Sequence, residues 1–175
     1  EILILGFGRI GKNLIKRCNG FEMNVNVYDP FVDESVIKKF GGNKVDNLEK
    51  AFTSADYISI HMPLNSKTKN LINFKKLEIM KKNAIIINTA RGGIISENDL
   101  DIALNKNIIF GAGLDVFEKE PIDLNNPLLK NKKVLLSPHS ATFTEECTER
   151  MGMETVQNLI DFFENKIKNN MIVKL

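Results

Sequence analysis

Short apolar runs alternate along the chain with longer segments in which apolar residues recur every three or four positions. The runs have the length of buried strands, whereas the longer segments are typical of helices that bury one face. Strands are predicted at 2–5, 25–28, 44–45, 57–60, 84–88, 108–114 and 134–136. Helices are predicted at 10–18, 33–40, 47–54, 74–82, 96–105 and 144–165. This alternation predicts an α/β fold, with a doubly wound, mainly parallel sheet of about seven strands and helices on both faces.

The first strand runs directly into a glycine-rich turn, Gly6-Phe7-Gly8-Arg9-Ile10-Gly11. At this spacing the first glycine permits the turn, the second lets a pyrophosphate approach, and the third lets the helix pack closely on the sheet. The helix behind it has free N–H groups and a positive dipole end for the phosphates. Its apolar stripe is predicted to lie on the sheet: Ile10, Leu14, Ile15 and Cys18. The turn therefore indicates a Rossmann-type dinucleotide site.

Asp29 follows the second predicted strand, 18 residues after Gly11. An acidic residue about 20 residues past the glycines is placed to bind the adenosine ribose hydroxyls. A carboxylate there repels a 2′-phosphate, which favours NAD over NADP. The alternative is that Asp29-Pro30 is only a turn signal.

Chemically suggestive residues follow most of the predicted strands. Ligands of doubly wound sheets bind beyond the carboxyl ends of the strands. The residues at these ends are Gly6, Asp29, Pro63, Arg91, Asp115 and His139. Their coincidence at one edge of the sheet predicts a single ligand crevice.

Arg91 and His139 are candidates for the chemistry. A guanidinium in a glycine-flanked turn can hold a carboxylate with two parallel hydrogen bonds; alternatively, Arg91 satisfies carbonyl groups at a strand end. An imidazole can exchange a proton near neutral pH, as reduction of a carbonyl requires, and Glu120 is a carboxylate that could orient it. Alternatively, His139 is an incidental surface residue. His61 is the competing acid–base residue, although its position favours packing at a strand end.

Composition excludes several other classes of function. The 175 residues have a net charge of +2, with acidic and basic residues interspersed, so no nucleic-acid or membrane surface is indicated. No apolar run approaches the roughly 20 residues of a membrane span. Cys18 and Cys147 lack the spacing of metal ligands and are interpreted as reduced thiols, which predicts a cytoplasmic protein without a metal site.

Four segments together resemble the nucleotide-binding domain of the D-2-hydroxyacid dehydrogenases, the family that includes phosphoglycerate dehydrogenase. They are Gly6–Gly11, Asn88–Gly93, Gly113–Pro121 and Ser137–Ala141, and the resemblance covers essentially all 175 residues. It implies that Arg91 binds the substrate carboxylate and polarises its C2 oxygen, that His139 donates the proton, and that Glu120 is the partner of His139.

The resemblance also implies a set of NAD-binding residues. Asp115 would hold the nicotinamide carboxamide. The full set is Gly6, Gly8, Arg9, Ile10, Gly11, Asp29, Met62, Pro63, Thr89, Ala90, Arg91, Asp115, His139 and Ala141.

The implied activity is the NAD-dependent interconversion of a 2-oxo acid and a D-2-hydroxy acid. One alternative is an NAD(H)-sensing module of the related corepressor type, and another is the Rossmann domain of a different dehydrogenase class. Residues 1–175 are expected to form the cofactor domain, with the substrate-binding domain absent from this chain, so that the chain binds NADH without turnover. The apolar stripe of the final helix is expected to be buried against the sheet and against either the absent domain or a second subunit, and the resemblance favours a homodimer. The stripe consists of Val156, Leu159, Phe163 and Ile167.

Overall fold

A computed structural model describes residues 1–167. The chain divides into two compact units, Glu1–His139 and Ser140–Leu175. The first unit contains the sheet and the first five helices, and the second contains the last helix.

The sheet of the first unit has seven strands, and every neighbouring pair is parallel. The strands are β1 (Ile2–Leu5), β2 (Val25–Tyr28), β3 (Asn43–Lys44), β4 (Tyr57–Ile60), β5 (Ile85–Asn88), β6 (Gly111–Leu114) and β7 (Val134–Leu136). Their order is β3-β2-β1-β4-β5-β6-β7, so the chain builds outwards from β1 in two directions. The predicted doubly wound sheet is confirmed.

The helices of this unit are α1 (Arg9–Gly20), α2 (Glu34–Lys39), α3 (Leu48–Ser54), α4 (Phe74–Glu78) and α5 (Glu97–Asn105), and a 3-10 helix covers Pro127–Lys130. The burial of β1 shows that these helices cover both faces of the sheet. Leu3 and Leu5 belong to one buried apolar cluster, whereas Ile2 and Ile4 belong to another. Because successive strand residues point to opposite faces, both faces of the sheet are covered.

Several predicted boundaries are wrong, for local reasons. The sixth strand begins at Gly111 rather than at residue 108, because the Ile108 N–H bonds back to Ala103 and closes the end of α5. The fourth helix ends at Glu78 rather than at residue 82, although Leu77 and Met80, on its apolar side, are both buried. The short third strand lies at 43–44 rather than 44–45, and β5 begins one residue later than predicted.

Ser96 and Asp99, three residues apart, have the sequence pattern of a capping box at the start of α5, but the box forms only in part. Ser96 Oγ accepts the Asp99 N–H over a long 3.4 Å. The Asp99 carboxylate does not return to the Ser96 backbone but accepts the Phe74 N–H at 3.0 Å. The residue that the pattern assigns to a local cap instead ties the start of α4 to α5.

The second unit contains α6 (Glu145–Phe163), which Thr144 caps by accepting the Cys147 N–H. In this single chain the helix has no buried residue, and Val156, Leu159 and Phe163 are 54%, 56% and 79% exposed. The predicted burial of this stripe in a homodimer stays a prediction. Ile167, the last residue of that stripe, lies beyond the helix. Within residues 1–167, no helix combines the length and apolarity needed to cross a membrane.

Candidate active site

The register of the sheet brings the loops that carry the candidate residues to one edge. Leu5, the last residue of β1, is paired with Tyr28 of β2 and with Ile60 of β4. Ile60 is level with Asn88, Asn88 with Leu114, and Leu114 with Leu136. The residues that follow these strands therefore share one crevice edge, as the sequence predicts.

The three glycines of the first loop occupy different environments. Gly6 has a φ of +95°, and a Cβ there would lie 2.7 Å from the carbonyl oxygen of His61. A Cβ on Gly11 would lie 2.4 Å from the carbonyl oxygen of Gly6. A Cβ on Gly8 would meet no protein atom within 4 Å. Gly6 and Gly11 are thus required by the turn and by packing, whereas Gly8 leaves open space at the crevice.

The amino terminus of α1 faces the loop without a side-chain cap. Gly8 is the N-cap residue, and the first turn contains no acidic side chain. The first N–H groups and the positive end of the helix dipole therefore suit an anion. Arg9, in the first turn, is exposed.

Ile10 does not lie on the sheet as its place in the apolar stripe predicts. Its side chain is 64% exposed, whereas Ile15 and Cys18 of the same stripe are buried and Leu14 packs beside them. Ile10 instead lines a cavity of about 230 Å³, together with His61, Met62, Pro63, Thr89, Ala90 and Arg91. This side chain is therefore available to a ligand in the crevice.

Asp29 holds the glycine loop with one carboxylate oxygen and its own turn with the other. Oδ2 accepts the Phe7 N–H at 2.8 Å, and Oδ1 accepts the Phe31 N–H at 2.9 Å. Asp29 therefore takes part in a turn. This does not exclude ligand binding, because each oxygen retains acceptor capacity and Asp29 also lines a cavity of about 550 Å³. That cavity further includes Gly6, Gly8, Tyr28, Met62 and Pro63.

The turn that carries Arg91 is organised by the end of β5. Asn88 donates its amide N–H to the carbonyl of Arg91 and accepts the Ala90 N–H. A Cβ on Gly92 would lie 1.8 Å from the carbonyl oxygen of Phe117, so this turn packs directly on the loop after β6. The Arg91 guanidinium donates from Nη1 to the carbonyl of Ala90 at 2.6 Å, as the strand-end alternative predicts. Its other N–H groups remain donors for a ligand.

The side chains of His139 and Glu120 are hydrogen-bonded, with 2.6 Å between Nδ1 and Oε2. The second carboxylate oxygen of Glu120 accepts the Phe117 N–H at 2.9 Å. The hydrogen bond with His139 and that from Phe117 lower the pKa of Glu120, against the opposing charge of Asp115. The pair borders a cavity of about 480 Å³ whose remaining lining is apolar: Phe117, Pro121, Ile122 and Pro138. A carboxylate thus holds Nδ1 of the imidazole at the border of this cavity.

Asp115 is buried at the end of β6, where it accepts the Ser137 hydroxyl at 2.5 Å. Its backbone N–H donates to the carbonyl of Asn88, which links this residue to the Arg91 turn. Sequence reasoning missed Ser137, Asn88 and Ser59. Ser137 stands directly after β7, so the rule that located Asp115 and His139 would also have found it.

His61 packs at the end of β4, as predicted. Its Nε2 lies 2.8 Å from the hydroxyl of Ser59, and burial lowers the pKa of its imidazole. It borders both the 550 Å³ and the 230 Å³ cavities, but it has no carboxylate partner comparable to Glu120. His139 is therefore the better placed acid–base group.

The remaining predicted residues are Ala141 and the two cysteines. Ala141 is exposed and belongs to the second unit of the chain. Cys18 and Cys147 are free thiols, and burial raises the pKa of Cys18. Among residues 1–167, no group of three or more His, Cys, Asp and Glu side chains is arranged to hold a metal ion.

The crevice of the first unit fits an elongated ligand with phosphates in its middle. The open space at Gly8 and the uncapped amino terminus of α1 suit the phosphates. Cavities follow on both sides, one with Asp29 and Tyr28, the other with Ile10 and Thr89. A dinucleotide has this arrangement of groups.

Comparison with known proteins identifies the family. The family model described as "D-isomer specific 2-hydroxyacid dehydrogenase, NAD binding domain" matches residues 1–141. The chain is 42% identical over 171 residues to the glyoxylate reductase of Thermococcus litoralis, covering 98% of this chain and 51% of that protein. It is 38% identical over 169 residues to the D-3-phosphoglycerate dehydrogenase of Methanocaldococcus jannaschii, covering 97% of this chain and 32% of that protein.

A solved structure shows the same fold with the cofactor bound. The D-lactate dehydrogenase of Lactobacillus jensenii with NAD+ superposes with a TM-score of 0.86 at 28% identity, covering 96% of this chain and 54% of that chain. This chain thus spans about a third to a half of the length of these proteins. The sheet, the glycine loop and the family match agree, and we conclude that the chain belongs to the D-isomer-specific 2-hydroxyacid dehydrogenases, in their NAD-binding domain.

Proposed function

We propose that this protein interconverts a 2-oxo acid and a D-2-hydroxy acid, with NAD(H) as the redox cofactor. The observation that carries the proposal is the 2.6 Å contact between His139 and Glu120, at the sheet edge that also bears the glycine loop and Arg91. Relatives named glyoxylate reductase and D-3-phosphoglycerate dehydrogenase support a small 2-oxo or 2-hydroxy acid as substrate. They give no support to the corepressor alternative.

Arg91 is proposed to bind the carboxylate of that acid and to polarise its C2 oxygen. A guanidinium forms two parallel bonds to a carboxylate, which a lysine cannot form. The existing bond from Arg91 to the carbonyl of Ala90 engages only Nη1, so the remaining donors can face the substrate. The close packing of Gly92 against Phe117 fixes the backbone turn from which the Arg91 side chain extends.

His139 is proposed to supply the proton during reduction and to remove it during oxidation. Glu120 holds Nδ1, so the proton moves at Nε2, to or from the C2 oxygen of the substrate. The negative charge of Glu120 stabilises the imidazolium that donates this proton. NADH, when bound, supplies the hydride.

The cofactor residues are proposed from the glycine motif, from the family resemblance and from the shape of the crevice. Gly6, Gly8, Arg9 and Gly11 are proposed to surround the pyrophosphate, with Asp29 on the adenosine ribose. Asp115, which Ser137 holds in place, is proposed to bind the nicotinamide carboxamide. The remaining proposed contacts are Ile10, Met62, Pro63, Thr89, Ala90, Arg91, His139 and Ala141.

We further propose that residues 1–175 are the cofactor domain of a two-domain, cytoplasmic enzyme. The exposed apolar side chains of α6 favour a homodimer. Arg91 and His139 contact one side of a small acid, so a second domain is needed to position it and to exclude water. Misplacement by about 1 Å can cost roughly a hundredfold in rate.

Two measurements test the proposal. The 175-residue chain should bind NADH in a calorimetric titration but should not oxidise it with glyoxylate, hydroxypyruvate or pyruvate. The same domain joined to its substrate domain should oxidise NADH with at least one of these acids, and His139→Ala should remove that activity more completely than His61→Ala. Absence of NADH binding would refute the cofactor assignment, and turnover by the chain alone would refute the need for a second domain.

A further inference from the structure

The loop that carries Glu120 is tied to the start of α5 by two reciprocal hydrogen bonds. The Glu97 backbone N–H donates to the side chain of Glu118 at 2.8 Å. The Glu118 backbone N–H donates to the side chain of Glu97 at 2.5 Å. Each carboxylate therefore binds the backbone of the other residue, and we name this pair the Glu97–Glu118 clamp.

Glu97 also reaches the far end of the same loop. Its Oε2 accepts the side-chain N–H of Asn126 at 2.5 Å. Asn126 in turn caps the 3-10 helix by accepting the Leu128 N–H. One carboxylate thus joins both ends of the segment 118–126 to the first turn of α5, and Glu120 lies within that segment.

The clamp is adjacent to the bonds that orient the acid–base pair. Phe117, next to Glu118, donates its N–H to Oε1 of Glu120, while Oε2 of Glu120 holds His139. The carbonyl of Phe117 lies against Gly92, beside Arg91. The position of residue 117 therefore affects both the carboxylate that orients His139 and the turn that carries Arg91.

Glu120 by itself is weakly held. Its side chain is 35% exposed, and that of His139 is 49% exposed, so no surrounding core fixes their geometry. An exposed ion pair contributes little unless its partners are held in place, because ordering two flexible side chains costs entropy. Here the backbone beneath Glu120 supplies that order.

We propose that Glu97 and Glu118 are positioning residues that hold Glu120 against His139; this rests on the proposed function of that pair. The role requires one acceptor oxygen at position 118 and two at position 97, where Oε1 binds Glu118 and Oε2 binds Asn126, but it requires no negative charge at position 118. Gln therefore preserves the role at position 118 only, and Ala removes it at either position. Neither residue is expected to touch the substrate or the cofactor.

The test uses the 175-residue chain and the imidazole proton resonances of its histidines. With only His61 and His139 present, each resonance is assigned by a single substitution. Glu120→Gln sets the reference, because loss of the carboxylate moves the titration midpoint of His139 to lower pH. Glu97→Ala and Glu118→Ala should each produce about half or more of that shift. Glu118→Gln should keep most of the wild-type midpoint, and Glu34→Ala, an exposed carboxylate on α2, is the control.

The outcomes separate positioning from general stability. If the alanine variants melt at lower temperature but His139 titrates as in wild type, the clamp is only structural and the proposal is wrong. If Glu97→Ala does not fold, the exposed Glu118→Ala decides the question by the same criterion. Absence of NADH binding by the wild-type chain would instead count against the proposed function, because the histidine titration requires no cofactor.

Discussion

Gly8 and Gly11 provide a matched pair of substitutions that separates ligand space from packing space. Alanine at either position adds one methyl group to the same loop. At Gly11 the new Cβ would lie 2.4 Å from the backbone oxygen of Gly6, whereas at Gly8 it would meet nothing within 4 Å. Gly11→Ala should therefore destabilise the fold, and Gly8→Ala should weaken only cofactor binding.

The stability effects follow from local geometry. For Gly11→Ala, overpacking against a backbone atom costs about 3 kcal/mol, and alanine returns about 1 kcal/mol of helix propensity. The net loss of about 2 kcal/mol lowers the melting temperature by roughly 4–8 °C. For Gly8→Ala, the weaker N-cap and the smaller unfolded-state entropy nearly cancel, which leaves about 0.5 kcal/mol or less, or roughly 2 °C.

Of the two variants, Gly8→Ala should be the more stable but should bind NADH more weakly. The methyl group of Gly8→Ala occupies the space where the pyrophosphate approaches, so the Kd for NADH should rise about tenfold or more. Thermal melting of the free chain and calorimetry with NADH measure the two effects separately. If Gly8→Ala binds NADH with wild-type affinity, the assignment of that space to the cofactor is refuted; an unchanged melting temperature for Gly11→Ala refutes the packing argument.

Three further predictions concern selectivity, proton transfer and assembly. The chain should bind NADH more tightly than NADPH, and equal calorimetric affinities in wild type would contradict the assignment of Asp29. Asp29→Ala should reduce the difference between the two affinities, and it should weaken both because the Phe7 N–H loses its acceptor. In the complete enzyme, reduction needs protonated His139, and removal of the Glu120 charge makes that proton easier to lose. Glu120→Gln should therefore shift the alkaline fall in activity to lower pH. An unchanged pH profile would remove Glu120 from the mechanism. Light scattering should detect a dimer that is weakened by Phe163→Ser on the exposed stripe of α6, and a strict monomer at high concentration would contradict the dimer.

The sequence alone determined the architecture because its signals are local. Buried parallel strands appear as short apolar runs, and the intervening segments have helical period, so the seven-stranded sheet could be predicted. The glycine spacing after β1 located the dinucleotide turn. Because parallel strands end at the same edge, position in the chain also placed Arg91, Asp115 and His139 at one crevice.

Partners and burial depended on residues that are distant in sequence, and only the tertiary structure decided them. Glu120 and His139 are 19 residues apart, yet 2.6 Å separates their side chains. Ile10 follows the apolar period of α1 but faces the crevice, because a helix that begins at the sheet edge extends its first turn beyond the core. Glu97 and Glu118 appear in the sequence as ordinary surface charges; the fold turns each towards the backbone of the other, since unpaired N–H groups at a helix start and in a loop require acceptors.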